Sequence, residues 1–303
     1  MEKSLVSVII PSHGGGQYLE RAVDSVLSQT YPNIEIIVVD DNGIGTPNQL
    51  STQQIMQKYC SNEKVKYVCH KVNKNGSIAR NTGFKHSSGK YIALLDDDDE
   101  YLPKKIERQV KLLDSLSQEY AFVYCSHDVY KDDRLVRHVT AEKSGDLFFE
   151  KISHEIEIQT SGVLIKRDIF DKIEGFDESF QRHQDWEFIE RVLFQYKAQA
   201  DNFIGYNRYL YFRSDSKSPN QAKEWREHYL KKMKPYIDTL PPYQANIVYR
   251  KNNIDIILQY LKAKDYSGFT KEIFTSKIGL KGFANLAKRL VMATLKGGPV
   301  KEV

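Results

Sequence analysis

Cysteine is scarce in this sequence: Cys60, Cys69 and Cys125 are the only three among 303 residues. The number is odd, no two form a CxxC pair, and the spacing fits neither a zinc site nor a disulfide framework. A reducing compartment is the expected setting. Long apolar runs are missing as well. Leu5 to Ile10 follows Met1-Glu2-Lys3 almost at once and is too short for a signal-peptide core or a membrane span, which predicts a cytoplasmic protein. Neither GxxxxGK[ST] nor GxGxxG occurs, so a P-loop ATPase and a dinucleotide-dependent dehydrogenase have no motif here. There is no internal repeat and no low-complexity segment.

What is present is a globular composition. At 41% hydrophobic, the chain can furnish a sizeable core. The net charge of +4 is unevenly spread. From Asn220 onward there are 16 basic and 7 acidic residues, against 28 and 33 before it, so a basic tail follows an acidic body.

Leu5 to Ile10 and Ile34 to Val39 are near-continuous β-branched runs, the pattern of strands buried on both faces of a parallel sheet. Between them, Tyr18 to Gln29 reads as a helix with Leu19, Ala22, Val23, Val26 and Leu27 on one stripe and Glu20, Arg21 and Asp24 facing away. The alternation continues with a helix over Gln49 to Tyr59, a strand over Val65 to Val68, a helix over Ser77 to His86 and a strand over Tyr91 to Leu95. A helix to about Leu116, a strand over Ala121 to Ser126 and a mixed region with a helix over Trp186 to Gln195 come next. The expected fold is α/β, a doubly wound, mostly parallel sheet flanked by helices, with a helical C-terminal appendage. The Ser-rich segment Arg213 to Pro219 sets the domain limits at 1–219 and 220–303.

Acidic residues gather after two predicted strands: Asp40-Asp41 after Val39, and Asp96-Asp97-Asp98-Asp99 after Leu95. Open α/β sheets bind ligands at that edge. Four adjacent carboxylates repel one another, which a divalent cation, Mg²⁺ or Mn²⁺, would neutralise. Such a hard ion takes one or two protein carboxylates and completes its shell with water and phosphates, so a diphosphate ligand is the natural partner. The plain alternative is a solvated acidic turn ahead of the helix after Pro103.

The segments VSVIIPSHGGGQYLERAVDSVLSQTYPNIEIIVVDDN, NGSIARNTGF, GKYIALLDDDD, GFDESF and HQDWEF, in that order, resemble the family 2 glycosyltransferases over roughly Ser4 to Arg213. The resemblance implies a glycosyltransferase A fold, a nucleotide-sugar donor, usually a UDP-sugar, and inversion at the anomeric carbon. It implies further that Pro11 and Ser12 lie beside the uridine and that Asp41 bonds the uracil edge, with Asp40 in support. Arg80, followed by Asn81, would start a helix against the nucleotide. Asp96-Asp97-Asp98 matches the DxD signature, with Asp96 and Asp97 on the donor side and Asp98 as metal ligand. Asp185 matches the general base that takes the acceptor's proton. The chain departs from the family's pattern at Gln184, where relatives often have Glu, and at His13-Gly14-Gly15-Gly16, where many have Tyr-Asn.

Several secondary readings accompany this one. Trp186, Phe188 and Leu193 read as helix packing rather than sugar binding, and His183 as a hydrogen-bonded structural residue or a proton partner of Asp185. Arg213 and Lys217 could close over a diphosphate or lie in a solvated linker. Ile278 to Leu295 reads as a basic amphipathic helix, with Leu280, Phe283, Leu286, Ala287, Leu290 and Val291 on its apolar face. Through residues 277–296 it could rest on an anionic membrane, at the inner face of the cell membrane, near a saccharide or lipid-linked acceptor, or it could pack on its own protein. Lacking interleaved aromatics and a known module, it predicts no nucleic-acid partner. Polysaccharide or glycolipid synthesis is the setting this suggests. Two other functions share parts of the pattern. A nucleotidyltransferase that forms a nucleotide sugar has only Gly14 to Gly16 in its favour. A non-catalytic carbohydrate-binding protein on the same fold would have no need of Asp98 and Asp185.

Overall fold

The computed structural model describes residues 3–14, 16–211 and 218–276, together with 278–279, 282–284 and 286–288. It divides into two compact units, Met1–Phe148 with Glu157–Phe212, and Phe149–Ile156 with Arg213–Val303. Arg213, Lys217, Gly15, Leu280, Leu290 and Val291 lie outside the described residues.

In chain order the elements are β1 (Val6–Ser12), α1 (Leu19–Leu27), β2 (Ile34–Asp40), α2 (Pro47–Met56), β3 (Val65–Cys69), α3 (Gly76–Lys85), β4 (Tyr91–Leu94), β5 (Glu100–Tyr101) and α4 (Lys105–Asp114). There follow β6 (Tyr120–Lys131), β7 (Arg134–Val139), α5 (Phe148–Ile152), β8 (Val163–Lys166), α6 (Arg167–Lys172), α7 (Gln184–Gln195), β9 (Lys197–Leu210), α8 (Pro219–Ile237), α9 (Pro242–Lys262) and α10 (Tyr266–Thr275).

The first unit is built on one sheet ordered β3-β2-β1-β4-β8-β6-β9-β5, with β7 paired to β6. The pairs β2–β3, β1–β2, β1–β4 and β6–β9 are parallel, while β8 runs antiparallel to both its neighbours. β1 and β2 are buried almost throughout, as their uninterrupted apolar runs require. Leu19, Ala22, Val23 and Val26 of α1 join Val6, Val8, Ile10, Ile36 and Val38 in the main core. α3 lies close on β1, where a β-carbon at Gly83 would come within 2.3 Å of Ile9 Cγ2. A larger residue there would force helix and sheet apart.

The mixed region after α4 is more regular than the sequence suggests. β6 continues to Lys131 through the polar pair His127-Asp128, because parallel pairing with the 14-residue β9 supplies its backbone partners. His127 is buried and stacks on Tyr206 of β9 with ring centroids 4.6 Å apart.

In the second unit α8 is capped by the Ser218 hydroxyl, which accepts from Gln221 N. Ile254, Ile257 and Leu258 of α9 form a small core with Ile278 and Leu286. The apolar stripe expected over Ile278 to Leu295 is therefore split in its described part. Leu286 is buried on α9, while Phe283 remains 46% exposed. Among the described residues no helix is long and apolar enough to cross a membrane.

Candidate active site

The neighbouring parallel strands β2, β1 and β4 end on the same edge of the sheet, which brings together three loops that are remote in sequence. They are tied to one another. Asp41 N donates to Ser12 O (2.9 Å), Gly14 N to Asn42 Oδ1 (2.7 Å) and His13 N to Asp97 Oδ2 (3.2 Å). Pro11 and Ser12 pair with Val39 and Asp40 at the end of this ladder. Burial, followed by the neighbouring Asp98 and Asp96 carboxylates, pushes the Asp97 carboxyl up to about 7, with the Ser12 hydroxyl and His13 N–H pulling the other way.

The two acids after β2 are both buried and both held by their own chain. Asp40 accepts from Tyr67 Oη (2.5 Å) and from Asn42 N and Nδ2 (2.9 and 2.8 Å). Asp41 Oδ1 accepts from Lys74 N (2.9 Å) and lies 2.6 Å from His70 Nδ1, while Oδ2 accepts from Asn75 N (2.9 Å) and Asn73 Nδ2 (3.2 Å). Any contact from Asp41 to a base edge would compete with these four partners. Through them Asp41 organises the loop that delivers α3.

The loop after β4 is held by four residues from other elements. Arg80 Nη2 donates to Asp96 Oδ1 at 2.6 Å. Ser161 Oγ donates to Asp99 Oδ2 (2.7 Å) and accepts from Asp96 N (3.2 Å). Tyr209 of β9 gives its N–H to Asp99 Oδ1 (3.3 Å) and its hydroxyl to Glu100 Oε2 (2.8 Å). Arg21 Nη2 donates to the Asp98 carbonyl at 2.6 Å. Asp96, with its side chain 40% exposed, and Asp98 remain half-buried at this edge, whereas Asp99 is buried.

Arg80, itself buried, ties this loop to the start of α3. It lies one turn into α3, where Asn75 caps the helix by accepting from Ile78 N, and it also donates to Gly76 O. A β-carbon at Gly76 would stand 2.9 Å from Arg80 Nη1 and 3.0 Å from Gln184 Nε2, so the first turn of α3 lies close to the side chain that opens α7. Asp185 is the next residue, half-buried in the first turn of α7. The segment before it is fixed to α3 by Asn81, which donates to Phe176 O (2.9 Å) and Glu178 Oε1 (3.0 Å). Phe188 and Leu193 are buried, and Trp186 packs on the His183 ring at 4.5 Å. Arg80 Nε and Gln184 Oε1 are buried without a hydrogen-bond partner in the described structure, as expected of groups that face a ligand.

Among the described residues no group of three or more His, Cys, Asp or Glu side chains could hold a metal ion by itself. The donor set at Asp96 to Asp98 is hard oxygen only. It fits Mg²⁺ or Mn²⁺ shared with a phosphate-bearing ligand and does not fit a self-contained metal centre.

Sequence reasoning missed Arg21, Tyr209 and Ser161. Arg21 reads as solvent-facing on the α1 wheel, and Tyr209 and Ser161 lie far along the chain from the acids they touch. The signal that could have drawn attention to Arg21 is the density of tyrosines at Tyr18, Tyr209 and Tyr211. The arginine lies over the Tyr209 ring at 3.7 Å, and Tyr18 stacks on Tyr211 at 3.7 Å.

Comparison with known proteins places this geometry in a family. The uncharacterized glycosyltransferase RP339 of Rickettsia prowazekii is 37% identical over 193 residues, 60% of this chain and 57% of that protein. Across five such Rickettsia relatives the chain spans only 20% to 58% of the relative's length. The Escherichia coli protein WfgD, a UDP-Glc:alpha-D-GlcNAc-diphosphoundecaprenol beta-1,3-glucosyltransferase, is 26% identical over 282 residues, covering 93% of this chain and all of WfgD. Among solved structures, S. aureus TarS 1–349 in complex with UDP-GlcNAc superposes with a TM-score of 0.61 at 14% identity, over 88% of this chain and 90% of TarS 1–349. The mannosyltransferase PcManGT of Pyrobaculum calidifontis, in complex with GDP-Man and Mn²⁺, does so with a TM-score of 0.60 at 16% identity, over 97% of this chain and 81% of PcManGT. These likenesses show the glycosyltransferase A type of fold. Residues 7–174, more than half of the chain, match the sequence model of glycosyl transferase family 2, and the chain belongs to that family.

Proposed function

We propose that this chain is an inverting, hexosyl-type glycosyltransferase that moves a sugar from a UDP-sugar to an acceptor hydroxyl in cell-surface polysaccharide or glycolipid synthesis. One observation carries the reading. Arg80 ties Asp96 to Gly76 at the start of α3, and Gly76 lies close to the side chain of Gln184, the residue before Asp185, which supports one site bordered by both acids. UDP is preferred because WfgD, aligned over its whole length, is named for a UDP-sugar.

In this reading Pro11 and Ser12 flank the base, and Asp41 shapes the wall behind it through the loop it organises. Asp96 and Asp97 face the donor, and Arg80 offers its guanidinium to the diphosphate. Asp98 would hold Mn²⁺ or Mg²⁺, which when bound neutralises the charge that builds on the departing diphosphate. The Asp185 carboxylate accepts the proton of the acceptor hydroxyl. The freed oxygen pair bonds to the anomeric carbon from the face opposite the donor phosphate, and the carbon–oxygen bond to UDP breaks with its electrons passing to the leaving oxygen. Gln184 puts a neutral amide before Asp185 where relatives often carry an acid.

A lipid-linked acceptor is supported by the name of WfgD and by Phe274 and Phe283, 82% and 46% exposed in the basic tail. Burial of Leu286 on α9 weighs against the whole stripe lying in a bilayer. Incubation of the full chain with a panel of nucleotide sugars and Mn²⁺, read as release of UDP or GDP, tests the proposal. Release of pyrophosphate from UTP and a sugar phosphate would replace it with nucleotidyl transfer, and inertness toward every donor would leave a binding protein.

A further inference from the structure

We infer that Arg21 is a positioning residue for the metal-binding loop, and that β9 supplies the plate on which it is held; the inference rests on Asp98 serving as the metal ligand. Arg21 projects from α1, an element that carries none of the proposed donor contacts. Its Nη2 donates to the Asp98 carbonyl at 2.6 Å, and its guanidinium lies 3.7 Å from the centroid of Tyr209. The same Tyr209 secures the two following residues of the loop, Asp99 through its N–H and Glu100 through its hydroxyl. Tyr18 and Tyr211, stacked on each other, flank the guanidinium at 5.5 and 5.9 Å.

The physical case follows from what the loop has to do. Asp96 to Asp99 crowd four carboxyl groups onto consecutive residues, whose repulsion drives the loop apart when no cation is bound. Ser161 and Tyr209 restrain Asp99 on one side, and Arg80 restrains Asp96 on the other. At Asp98 itself, Arg21 holds the backbone carbonyl, and it brings a positive charge to the most acidic stretch of the chain. A planar guanidinium can donate to a carbonyl while stacked on an aromatic ring, a combination a lysine ammonium reproduces only in part. Groups that orient a metal ligand without touching the metal change metal affinity by about 10–100-fold when removed.

The test is Mn²⁺ binding to the full chain in the presence of UDP, followed by the loss of the free-Mn²⁺ electron paramagnetic resonance signal, alongside UDP binding without metal and thermal unfolding. Arg21→Ala is expected to weaken Mn²⁺ binding about tenfold while leaving metal-free UDP binding within about twofold, and Arg21→Lys to recover part of the loss. Should Arg21→Ala fail to fold, Tyr209→Leu, which keeps the backbone N–H on Asp99 but removes the plate, is expected to weaken Mn²⁺ binding in the same way. Mn²⁺ affinity unchanged in a folded Arg21→Ala or Tyr209→Leu protein, with only the melting temperature lowered, would assign these residues a purely structural role and overturn the inference. Failure of the unaltered chain to bind Mn²⁺ with UDP would instead overturn the function proposed above, and this inference with it.

Discussion

Arg80 reaches Asp96 across the mouth of the site at 2.6 Å, and a hypothetical β-carbon on Gly76 would touch both Arg80 and Gln184. The start of α3 thus meets both the acid loop and the side chain of Gln184, some ninety residues apart in sequence. Arg80→Ala is expected to weaken donor binding about tenfold, since it removes a charge-assisted contact worth about 1.5–3 kcal/mol and releases Asp96 to repel its neighbours. Isothermal titration with UDP and Mn²⁺ would register the change. Gly76→Ala, which need move only the ends of the Arg80 and Gln184 side chains, is expected to have a smaller effect.

Asp98→Ala and Asp185→Asn separate the two halves of the proposed chemistry. Asp98→Ala is expected to abolish Mn²⁺-dependent donor hydrolysis and transfer with the fold retained by circular dichroism. Asp185→Asn is expected to reduce kcat by about 10²–10⁴-fold with donor affinity preserved, because only acceptor deprotonation is lost. Full activity in both variants would dismiss the assignment of these residues.

Asp41 gives a stability prediction of a different kind. Its carboxylate accepts two backbone N–H groups and two side-chain donors from residues 70–75. Asp41→Ala is expected to cost roughly 3 kcal/mol, lowering the melting temperature by about 6–12 °C for a unit of this size. Asp41→Asn is not expected to rescue it, because one end of an amide presents hydrogens to donors.

Glu35 gives the pH dependence of the sheet. Burial opposes its ionisation, but Lys66, the Ser7 hydroxyl and the Ser88 N–H and hydroxyl outweigh it and hold the carboxyl down to about 2. A depressed folded-state value means that the stabilisation is complete above the ordinary value of 4.5 and is lost as pH falls from there through about 2. Glu35→Gln is expected to be less stable than the unaltered chain at pH 7 by on the order of 2 kcal/mol. The gap should close over that acid window in denaturant titrations.

The tail reading is open to a vesicle experiment. Phe283→Ser is expected to reduce cosedimentation with anionic vesicles, and added salt to release the unaltered chain. Leu286→Ala is expected to destabilise the second unit by about 2–5 kcal/mol through the cavity it leaves beside α9. Equal sedimentation of the Phe283→Ser and unaltered proteins would remove the lipid contact.

The parallel half of the sheet is legible in the sequence because its strands are buried on both faces, so that Val8 to Ile10, Ile36 to Val39 and Tyr91 to Leu94 carry continuous apolar runs. The acids at their ends are legible for the same reason, since the end of each run is sharp. β9 is not legible. Its sequence Lys-Ala-Gln-Ala-Asp-Asn-Phe has neither a continuous nor an alternating apolar pattern, and it owes its extended form to pairing with β6 and β5. Arg21 shows why helix periodicity misses the clamp. The wheel gives the direction of a side chain relative to its own core, but not the remote carbonyl and tyrosine that meet it on the outer face.

Of the elements described, β9 has a consequence for how the protein comes into being. Glu100 and Leu210 are the beginning of the acidic loop's exit and the end of the strand that secures it, and the ribosome needs on the order of ten seconds to travel between them. Throughout that interval the β3-β2-β1-β4 ladder has all its strands, while Asp99 and Glu100 await Tyr209. The nascent chain thus acquires that ladder before the strand that secures the end of the acid loop, and premature termination anywhere between α4 and Tyr209 yields a product that keeps Arg21 and Arg80 on the loop but lacks the Tyr209 hold on Asp99 and Glu100.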